Sequence, residues 1–539
     1  MKNSILISLC LILLAPAHPL QAQDRDISYM VSGGKLNPLQ AIMDIRHYTI
    51  ALDVDIQHQQ INGYTTIDLL LSRSTDTLLF DFVHLLTVTK ITVNNTTSPF
   101  YQKGDYIFIT NAHGFQPGKQ SVKIEYGGNP PVAVNPPWAG GFSWKTDSNG
   151  NPWVAINCQS EGGKVYFPCK DHPGDEPNEG ADIIITVPKG LVVAGPGLLQ
   201  ETTNIKNDKT TYHWKTNYTI SNYCLVFNIG KYKVVNRTYT SIDGHTVPMQ
   251  FYVLEEDTAY AMQALILKER DTRILEKYFG EYPWMKEKIG LAEVPNPGME
   301  HQTMITYGDK FRYKTIAGQK YSDNLYHEYA HEWWANKVTN KDWAHMWIQE
   351  GIATYAEALA MREMGGENMY DSMILNFKMG IQNKKPIVQG EEVNSGDTYT
   401  GDIYIKGAFF MHTLRYVTGD SVFFPTLKEL ATAEKYTYNN FVTTDDVQQL
   451  FSARSGRDLR PLFDLYLRTT GKLDFVISQT GYNLYTVQVK NISMPLPVDI
   501  ITSTGTQHKI LTGVPVWIRS STPPVVDPKG YYLKKVIME

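Results

Sequence analysis

Hydrophobic and polar residues follow two different periods along the chain. From about residue 45 to residue 235 they alternate, as in residues 47–54 and 61–71, and clusters of Asn and Pro separate the alternating runs. Alternation of this kind places one face of a β-strand in a core and the other face in solvent. The pattern predicts a large all-β N-terminal domain over residues 23–240.

From about residue 258 the apolar residues recur at every third or fourth position, which is the period of an amphipathic α-helix. Helices are predicted for residues 260–279, 321–337, 347–364, 370–381 and 405–417. After Gly471 short alternating runs return, for example in residues 485–489. We therefore expect a mostly helical domain over residues 241–472 and a small C-terminal β domain over residues 473–539.

The composition is that of an ordinary globular protein. Of 539 residues, 42% are hydrophobic and 19% are charged, and the formal net charge is −5. A chain much longer than about 150 residues is expected to form several domains. Because nucleic-acid binding usually needs a basic face, the charge balance argues against a nucleic-acid partner. No segment after the N-terminus is apolar enough to predict a transmembrane helix.

The N-terminus has the pattern of a cleaved signal peptide. Lys2 precedes an apolar run over residues 5–15, and Leu20-Gln21-Ala22 ends in a small residue. The apolar run is shorter than a helix that spans a bilayer, and it suits the core of a signal peptide. We expect residues 1–22 to be removed and the protein to be secreted or periplasmic.

Three cysteines remain in the expected mature chain, at positions 158, 169 and 224. An odd number cannot pair completely within one chain. A disulfide between Cys158 and Cys169 and a set of three buried thiols are both compatible with the sequence. The cysteines lack the short paired spacing of a zinc knuckle, so none is predicted to bind a metal.

The strongest chemical signal lies in residues 326–331. His327 and His331 are four positions apart, so on a helix both imidazoles project from one face and can reach one ion. Glu328 lies beside them, where it can act as a general base on a water molecule. Glu350 follows after 18 intervening residues, at the start of the next predicted helix. Two histidines and a carboxylate predict one catalytic zinc site.

This spacing resembles the gluzincin aminopeptidases, the family of aminopeptidase N and of the leukotriene epoxide hydrolase. Five further segments resemble motifs of that family in the same order: residues 159–173, 297–301, 331–339, 350–357 and 404–408. His345 and Gln349 stand where many relatives have Asp and Asn, but neither is a ligand position. The resemblance implies a β-rich N-terminal domain, a thermolysin-like α+β catalytic domain and a small C-terminal β-sandwich.

The resemblance also implies which residues hydrolyse an amide bond. The residues expected to bind a single Zn²⁺ ion are His327, His331 and Glu350. A zinc ion lowers the pKa of a bound water toward neutrality, and Glu328 is expected to take a proton from that water. Tyr404 is the expected oxyanion donor, with Tyr399 as the alternative. Glu357 is compatible both with orienting a zinc-bound imidazole and with a structural role.

A second group of residues is implied to recognise the free N-terminus of a peptide. Glu300 is expected to pair with the α-ammonium of the substrate, which makes the enzyme remove one residue at a time. Gln159 is expected to bind the same amine. Gly298 and Met299 are expected to line the cleft, although Met299 is equally compatible with the core. His301 replaces the Asn of the family, and its charge is expected to vary near neutral pH.

Other activities are compatible with the zinc motif alone. An endopeptidase would use the same zinc chemistry on blocked peptides, but Glu300 argues against this alternative. A non-peptidase zinc hydrolase, such as an epoxide hydrolase, is a second alternative, although nothing in the sequence indicates a lipid channel. A non-catalytic binding module would typically lack a ligand or the general base. We predict a zinc metallo-aminopeptidase whose substrates are peptides with free N-termini.

The segment after the catalytic domain is short. Residues 473–539 stand where many relatives have a large helical domain that helps to close the cleft. This difference predicts a more open active site, or a site that a partner subunit closes in a homo-oligomer.

Overall fold

A computed structural model describes residues 31–206 and 208–539. The predicted signal peptide, residues 1–22, lies outside this part of the chain. Among the helices of the described residues, none is long and apolar enough to cross a membrane. The chain forms an N-terminal β region, a central helical region and a C-terminal β region.

The N-terminal region consists of strands in three sheets. Its strands are β1 Met43–Asp55, β2 Gln60–Leu71, β3 Thr75–Asp81, β4 Leu86–Val93, β5 Thr96–Thr97, β6 Phe100–Lys103, β7 Tyr106–Phe115, β8 Gly118–Gly128, β9 Gly141–Thr146, β10 Pro152–Asn157, β11 Ala181–Pro188, β12 Val192–Ala194, β13 Leu198–Ile205, β14 Lys209–Thr216 and β15 Asn228–Gly230. The order of the largest sheet is β13-β14-β11-β1-β2-β8-β4-β5. Smaller sheets have the orders β3-β7-β6 and β12-β15-β10-β9.

The predicted alternation is visible in β1, where Tyr48, Ile50, Leu52 and Val54 are buried and the residues between them are partly exposed. These side chains belong to the apolar core of the N-terminal region. The prediction of a β-rich N-terminal region is therefore confirmed.

The central region combines a sheet with nine helices among the described residues. Its strands are β16 Tyr232–Thr240, β17 Thr246–Leu254, β18 Ile289–Glu293, β19 Gly298–Met299, β20 Ile305–Tyr307, β21 Lys314–Ile316, β22 Gln319–Tyr321, β23 Thr339–Asn340 and β24 Phe441–Val442. Its helices are α1 Thr258–Phe279, α2 Asp323–Ala330, α3 Trp347–Gly365, α4 Glu367–Gly380, α5 Ser395–Thr398, α6 Gly401–Thr418, α7 Asp420–Thr432, α8 Thr444–Ser455 and α9 Arg460–Leu467.

The main sheet of this region has the order β16-β17-β18-β20-β19. Strand β16 pairs with β17 from Tyr232 to Thr240, so this sheet begins before the predicted domain boundary at residue 241. The edge strand β19 runs antiparallel to β20. This edge lies beside α2, which positions the loop after β19 next to the metal motif.

Four of the predicted helices correspond to α1, α3, α4 and α6. The helix predicted for residues 321–337 is wrong in length, because α2 ends at Ala330. The apolar pattern continues beyond Ala330 because Trp333 and Trp334 are both buried. These two residues lie in a tight turn rather than in a helix. The backbone of Ala335 then has a φ of 138°, which no helix accommodates.

The C-terminal region consists of β25 Leu473–Gly481, β26 Leu484–Val489, β27 Leu496–Thr502, β28 Gly505–Leu511, β29 Val516–Arg519, β30 Val525–Val526 and β31 Lys534–Met538. They form sheets of order β29-β26-β25-β31 and β28-β27-β30. Their buried side chains join the core of the central region, and the predicted C-terminal β domain is present.

The three cysteines 158, 169 and 224 are buried free thiols. Burial raises the pKa of each thiol well above its ordinary value. Of the two alternatives that the sequence left open, the structure has three buried thiols.

Candidate active site

Two helices carry the metal motif. Ser322 caps α2, since its hydroxyl accepts a hydrogen bond from the N–H of Leu325 at 3.2 Å. His327 and Glu328 lie on α2, and His331 is the residue that ends it. Glu350 lies in the first turn of α3, which packs against α2. The two helices therefore bring the residues of the predicted site together.

The three predicted ligands converge on one point. The Nε2 atoms of His327 and His331 are 3.1 Å apart. Each Nε2 atom is 3.4 Å from Oε2 of Glu350. All three side chains are largely buried, at 15%, 1% and 3% exposure. A tetrahedral zinc ion with bonds of about 2.0–2.2 Å separates its ligand atoms by about 3.3–3.5 Å, so the spacing fits zinc.

The other ring nitrogens fix which atoms face the metal position. Nδ1 of His327 lies 2.9 Å from Oε1 of Glu357, and Nδ1 of His331 lies 2.7 Å from the carbonyl of Trp334. Carboxylates and carbonyls only accept, so both Nδ1 atoms carry the proton and both Nε2 atoms present lone pairs. Two lone pairs at 3.1 Å repel each other unless a cation lies between them. The donor set therefore fits a zinc ion.

The contacts of the two Nδ1 atoms involve Glu357 and the segment that follows α2. The carboxylate of Glu357 orients the imidazole of His327, which is one of the two roles compatible with the sequence. The chain leaves the helix after Ala330, and the carbonyl of Trp334 turns back to His331. A helix continued to residue 337 would direct that carbonyl along the helix axis instead.

The charges of the two active-site glutamates differ. Burial alone would raise the pKa of Glu350, but the two neighbouring imidazoles lower it to about 2, so the carboxylate is ionised. Burial raises the pKa of Glu328 to about 7, against the opposing effect of His327. A carboxylate that exchanges its proton near neutral pH is suited to general base catalysis. Asn324 donates to Oε1 of Glu328 at 3.3 Å.

A second acidic group lies beside the metal position. Ligand atoms of Glu300, Glu328 and His331 all lie within 4.8 Å of one another. Glu300 is 2% exposed, and burial raises the pKa of its carboxyl. Two carboxylates this close to each other favour a cation between them. The structure therefore brings Glu300, the residue expected to recognise an α-ammonium, beside Glu328 and the metal position.

Three side chains, two from the N-terminal region and one from the central region, hold the carboxylate of Glu300. Oε1 accepts hydrogen bonds from Gln159 at 2.5 Å, from Tyr223 at 3.0 Å and from Gln349 at 3.4 Å. The backbone carbonyl of Glu300 accepts from Asn336 at 2.9 Å. Gln159, which comes from the N-terminal region, therefore lies beside Glu300, and its role in binding the substrate amine stays a prediction.

Two of these residues, Tyr223 and Gln349, are not predicted as site residues by the sequence. Tyr223 lies outside the motifs, and no local signal could have found it. Gln349 was noted as a departure from the family pattern, and that departure was the available signal. Both residues bond Glu300, so their contribution is to hold that carboxylate rather than to bind metal.

The remaining candidates near Glu300 are buried. Gly298 has a φ of 131°, and a Cβ atom there would lie 2.4 Å from the carbonyl oxygen of Thr306, so glycine is required for the pairing of β19 with β20. Met299 is 5% exposed and belongs to the apolar core of the N-terminal region, in agreement with the core alternative.

His301 differs from its prediction. Its side chain is fully buried, and burial lowers its pKa to about 3. The expectation that its charge varies near neutral pH is therefore wrong, because the cationic ring has no solvent to stabilise it. Its ring nitrogens have no hydrogen-bond partner among the described residues.

The two candidate tyrosines lie beside each other, close to His327. The rings of Tyr404 and His327 have centroids 5.8 Å apart. The hydroxyls of Tyr399 and Tyr404 are 2.6 Å apart. Burial raises the pKa of both phenols well above the ordinary value, so both remain protonated donors. The structure brings both the predicted oxyanion donor and its alternative to the site.

Comparison with known families agrees with this geometry. The model of the peptidase M1 N-terminal domain matches residues 45–224, and the model of the peptidase family M1 domain matches residues 265–466. The chain belongs to peptidase family M1. The resemblance to the aminopeptidase N group is thereby confirmed, and the chain has the multidomain fold of that family, with a β-rich N-terminal domain and a helical catalytic domain.

Several known proteins are similar to this chain. A leucyl aminopeptidase of Saccharolobus solfataricus is 22% identical over 88% of this chain and 58% of its own length. Aminopeptidase N of Lactococcus lactis is 24% identical over 57% of this chain and 37% of its own length. The chain thus spans less than two thirds of these relatives. An M1 zinc metallopeptidase of Deinococcus radiodurans has a similar fold, with a TM-score of 0.65, 21% identity, and coverage of 81% and 95% of the two chains.

Proposed function

We propose that this protein is a zinc aminopeptidase that hydrolyses the first peptide bond of peptides with a free N-terminus. The observation that carries the proposal is the position of Glu300. Its buried carboxylate lies within 4.8 Å of Glu328 and His331, so a substrate ammonium bound there would bring the adjacent amide to the metal position. The names of the similar proteins, which include several aminopeptidases, support the same function.

Each residue has a defined part in the proposed reaction. His327, His331 and Glu350 would hold a zinc ion, which when bound polarises water and the substrate carbonyl. Glu328 would accept the proton of the attacking water and pass it to the leaving nitrogen. Tyr404 would donate to the oxygen that becomes negative in the transition state. Gln159 would accept from the ammonium beside Glu300.

The finer architecture and the location of the protein belong to the same proposal. The main sheet followed by α2 and α3 supports a thermolysin-like α+β catalytic domain, and the two C-terminal sheets with a common core support a small β-sandwich. We also propose that the protein acts outside the cytoplasm, because the pattern of residues 1–22 predicts a signal peptide.

Amino-acid p-nitroanilides, with free and with N-acetylated amines, test the function. We expect turnover of the free substrates, little turnover of the acetylated ones, and complete loss of activity with a zinc chelator. Activity should return when zinc is added back. Rapid turnover of acetylated substrates would instead indicate an endopeptidase, and the aminopeptidase proposal would then fail.

Replacement of Tyr404 by phenylalanine is expected to lower kcat by about 10²-fold, at the lower end of the range for loss of one oxyanion donor. The effect is limited because the hydroxyl of Tyr399 lies 2.6 Å from that of Tyr404 and remains near the site. Tyr399→Phe should have a smaller effect, and the double variant a larger one than either. If Tyr399→Phe loses more activity than Tyr404→Phe, Tyr399 rather than Tyr404 is the oxyanion donor.

A further inference from the structure

The first described residues of the chain pack against the segment that leads to the candidate tyrosines. Residues 31–34, here called the N-terminal strap, form an antiparallel bridge with the segment that precedes α5. The N–H of Ser395 donates to the carbonyl of Ser32 at 2.9 Å. The same segment leads directly into Tyr399, so the strap lies against the chain that carries the candidate tyrosines.

The strap is also bound to the N-terminal region. The hydroxyl of Ser32 donates to Oδ1 of Asp171 at 2.9 Å, and Nζ of Lys164 donates to the carbonyl of Val31 at 2.6 Å. Lys164 and Asp171 are themselves paired at 3.1 Å. These contacts are largely buried, so solvent does not compete for them. The strap therefore joins the segment that precedes α5 to Lys164 and Asp171 of the N-terminal region.

Ser395 stands at the centre of this junction. It is 1% exposed, and its hydroxyl donates to the carbonyl of Ser160 at 2.6 Å and accepts from the N–H of Ser32 at 3.1 Å. Its own carbonyl accepts from the N–H of Tyr399 at 3.3 Å. Ser160 directly follows Gln159 in the sequence. Ser395 thus contacts both the backbone next to Gln159 and the backbone of Tyr399.

We propose that Ser395 is a positioning residue that couples Gln159 to the pair Tyr399 and Tyr404. This inference rests on the proposed function. Gln159 holds the carboxylate of Glu300, and Tyr399 contacts the hydroxyl of Tyr404. Because the hydroxyl of Ser395 bonds the residue after Gln159 and its carbonyl bonds the N–H of Tyr399, a shift of Ser395 would move both segments. Such a shift should affect substrate binding and turnover together.

The variant Ser395→Ala removes the hydroxyl and leaves the carbonyl of Ser160 without this donor. With free amino-acid p-nitroanilides and the full zinc-loaded chain, we expect KM to rise about three- to tenfold, as for loss of one buried hydrogen bond. We also expect kcat per bound zinc to fall by a similar factor. A purely structural role would lower the melting temperature and leave KM and kcat per zinc unchanged, and that result would overturn the inference.

Ser520→Ala is the matched control. Ser520 is 3% exposed, and its hydroxyl accepts from the N–H groups of Ser503 and Thr522 at 2.9 and 3.4 Å, in the C-terminal region. It makes the same chemical change at a similarly buried serine. We expect a loss of stability with unchanged KM and kcat. Kinetic changes equal to those of Ser395→Ala would show a general effect of destabilisation and contradict the assignment.

Gly33→Ala tests the strap without altering Ser395. Gly33 has a φ of 74°, and a Cβ atom there would lie 2.4 Å from Cδ1 of Trp343, so alanine must displace the strap. We expect the same direction of change in KM as for Ser395→Ala. An unchanged KM would show that the strap does not take part, and would overturn the coupling through it.

Hydrogen exchange separates this inference from the proposed function. In Ser395→Ala, backbone amides near Gln159 and near Tyr399 should both exchange faster than in the unaltered chain, and in Ser520→Ala neither should. This readout needs no turnover. An unaltered chain that fails to hydrolyse free substrates counts against the aminopeptidase function alone, whereas faster exchange in only one of the two segments counts against the coupling alone.

Discussion

Replacement of Glu328 by glutamine is expected to lower kcat by about 10⁴-fold, at the upper end of the range for loss of a general base. Glutamine has nearly the same shape and can still accept from Asn324, but it cannot take a proton from water. Zinc should remain bound, because the three ligand atoms belong to His327, His331 and Glu350. The measurement is kcat on a free amino-acid p-nitroanilide together with the zinc content of the same sample.

Glu276→Gln is the control for this variant. Glu276 lies on α1 and is fully buried, whereas Glu328 is only partly buried, and the carboxylate of Glu276 accepts from the hydroxyl of Tyr239 at 2.6 Å. The substitution is the same, so any general cost of neutralising a buried glutamate appears in both variants. We expect a loss of stability but a kcat near that of the unaltered protein. A zinc-loaded Glu328→Gln variant with kcat within tenfold of normal would remove Glu328 from the reaction.

The metal centre could be predicted because its geometry is mostly local. The four-residue spacing of His327 and His331 places both rings on one helical face, whatever the rest of the chain does. The helix that carries Glu350 also had a clear apolar period. In contrast, the length of α2 could not be read from the pattern, since Trp333 and Trp334 are as buried in a turn as they would be in a helix.

The rest of the site depends on contacts between distant segments. Tyr223 and Gln349 meet at Glu300 across sequence separations of 77 and 49 residues, and Ser395 meets Ser160 across 235. No periodicity reports such contacts, because they follow from how the regions pack. The prediction for the charge of His301 is wrong for the same reason, because the burial of its side chain follows from how the regions pack.

Neutralising Glu300 is expected to have the second largest effect. In Glu300→Gln the neutral amide cannot form an ion pair with an ammonium ion, and kcat/KM for free amino-acid p-nitroanilides should fall by about 10³-fold, as for loss of one partner of a buried charge pair. Zinc content should not change, because the two imidazoles and Glu350 converge without help from Glu300. The hydrogen bonds from Gln159 and Tyr223 would then end on the amide oxygen.

The decisive quantity is the ratio of kcat/KM for free substrates to kcat/KM for N-acetylated substrates. Glu300 has no ammonium to bind in an acetylated substrate, so its loss should leave that slow reaction nearly unchanged, and the ratio should collapse toward one. Gln159→Ala should lower the ratio less, since the charge of Glu300 remains. An equal loss on both substrates would mean that Glu300 supports the metal centre rather than the amine, because only a role in ammonium binding distinguishes the two substrates.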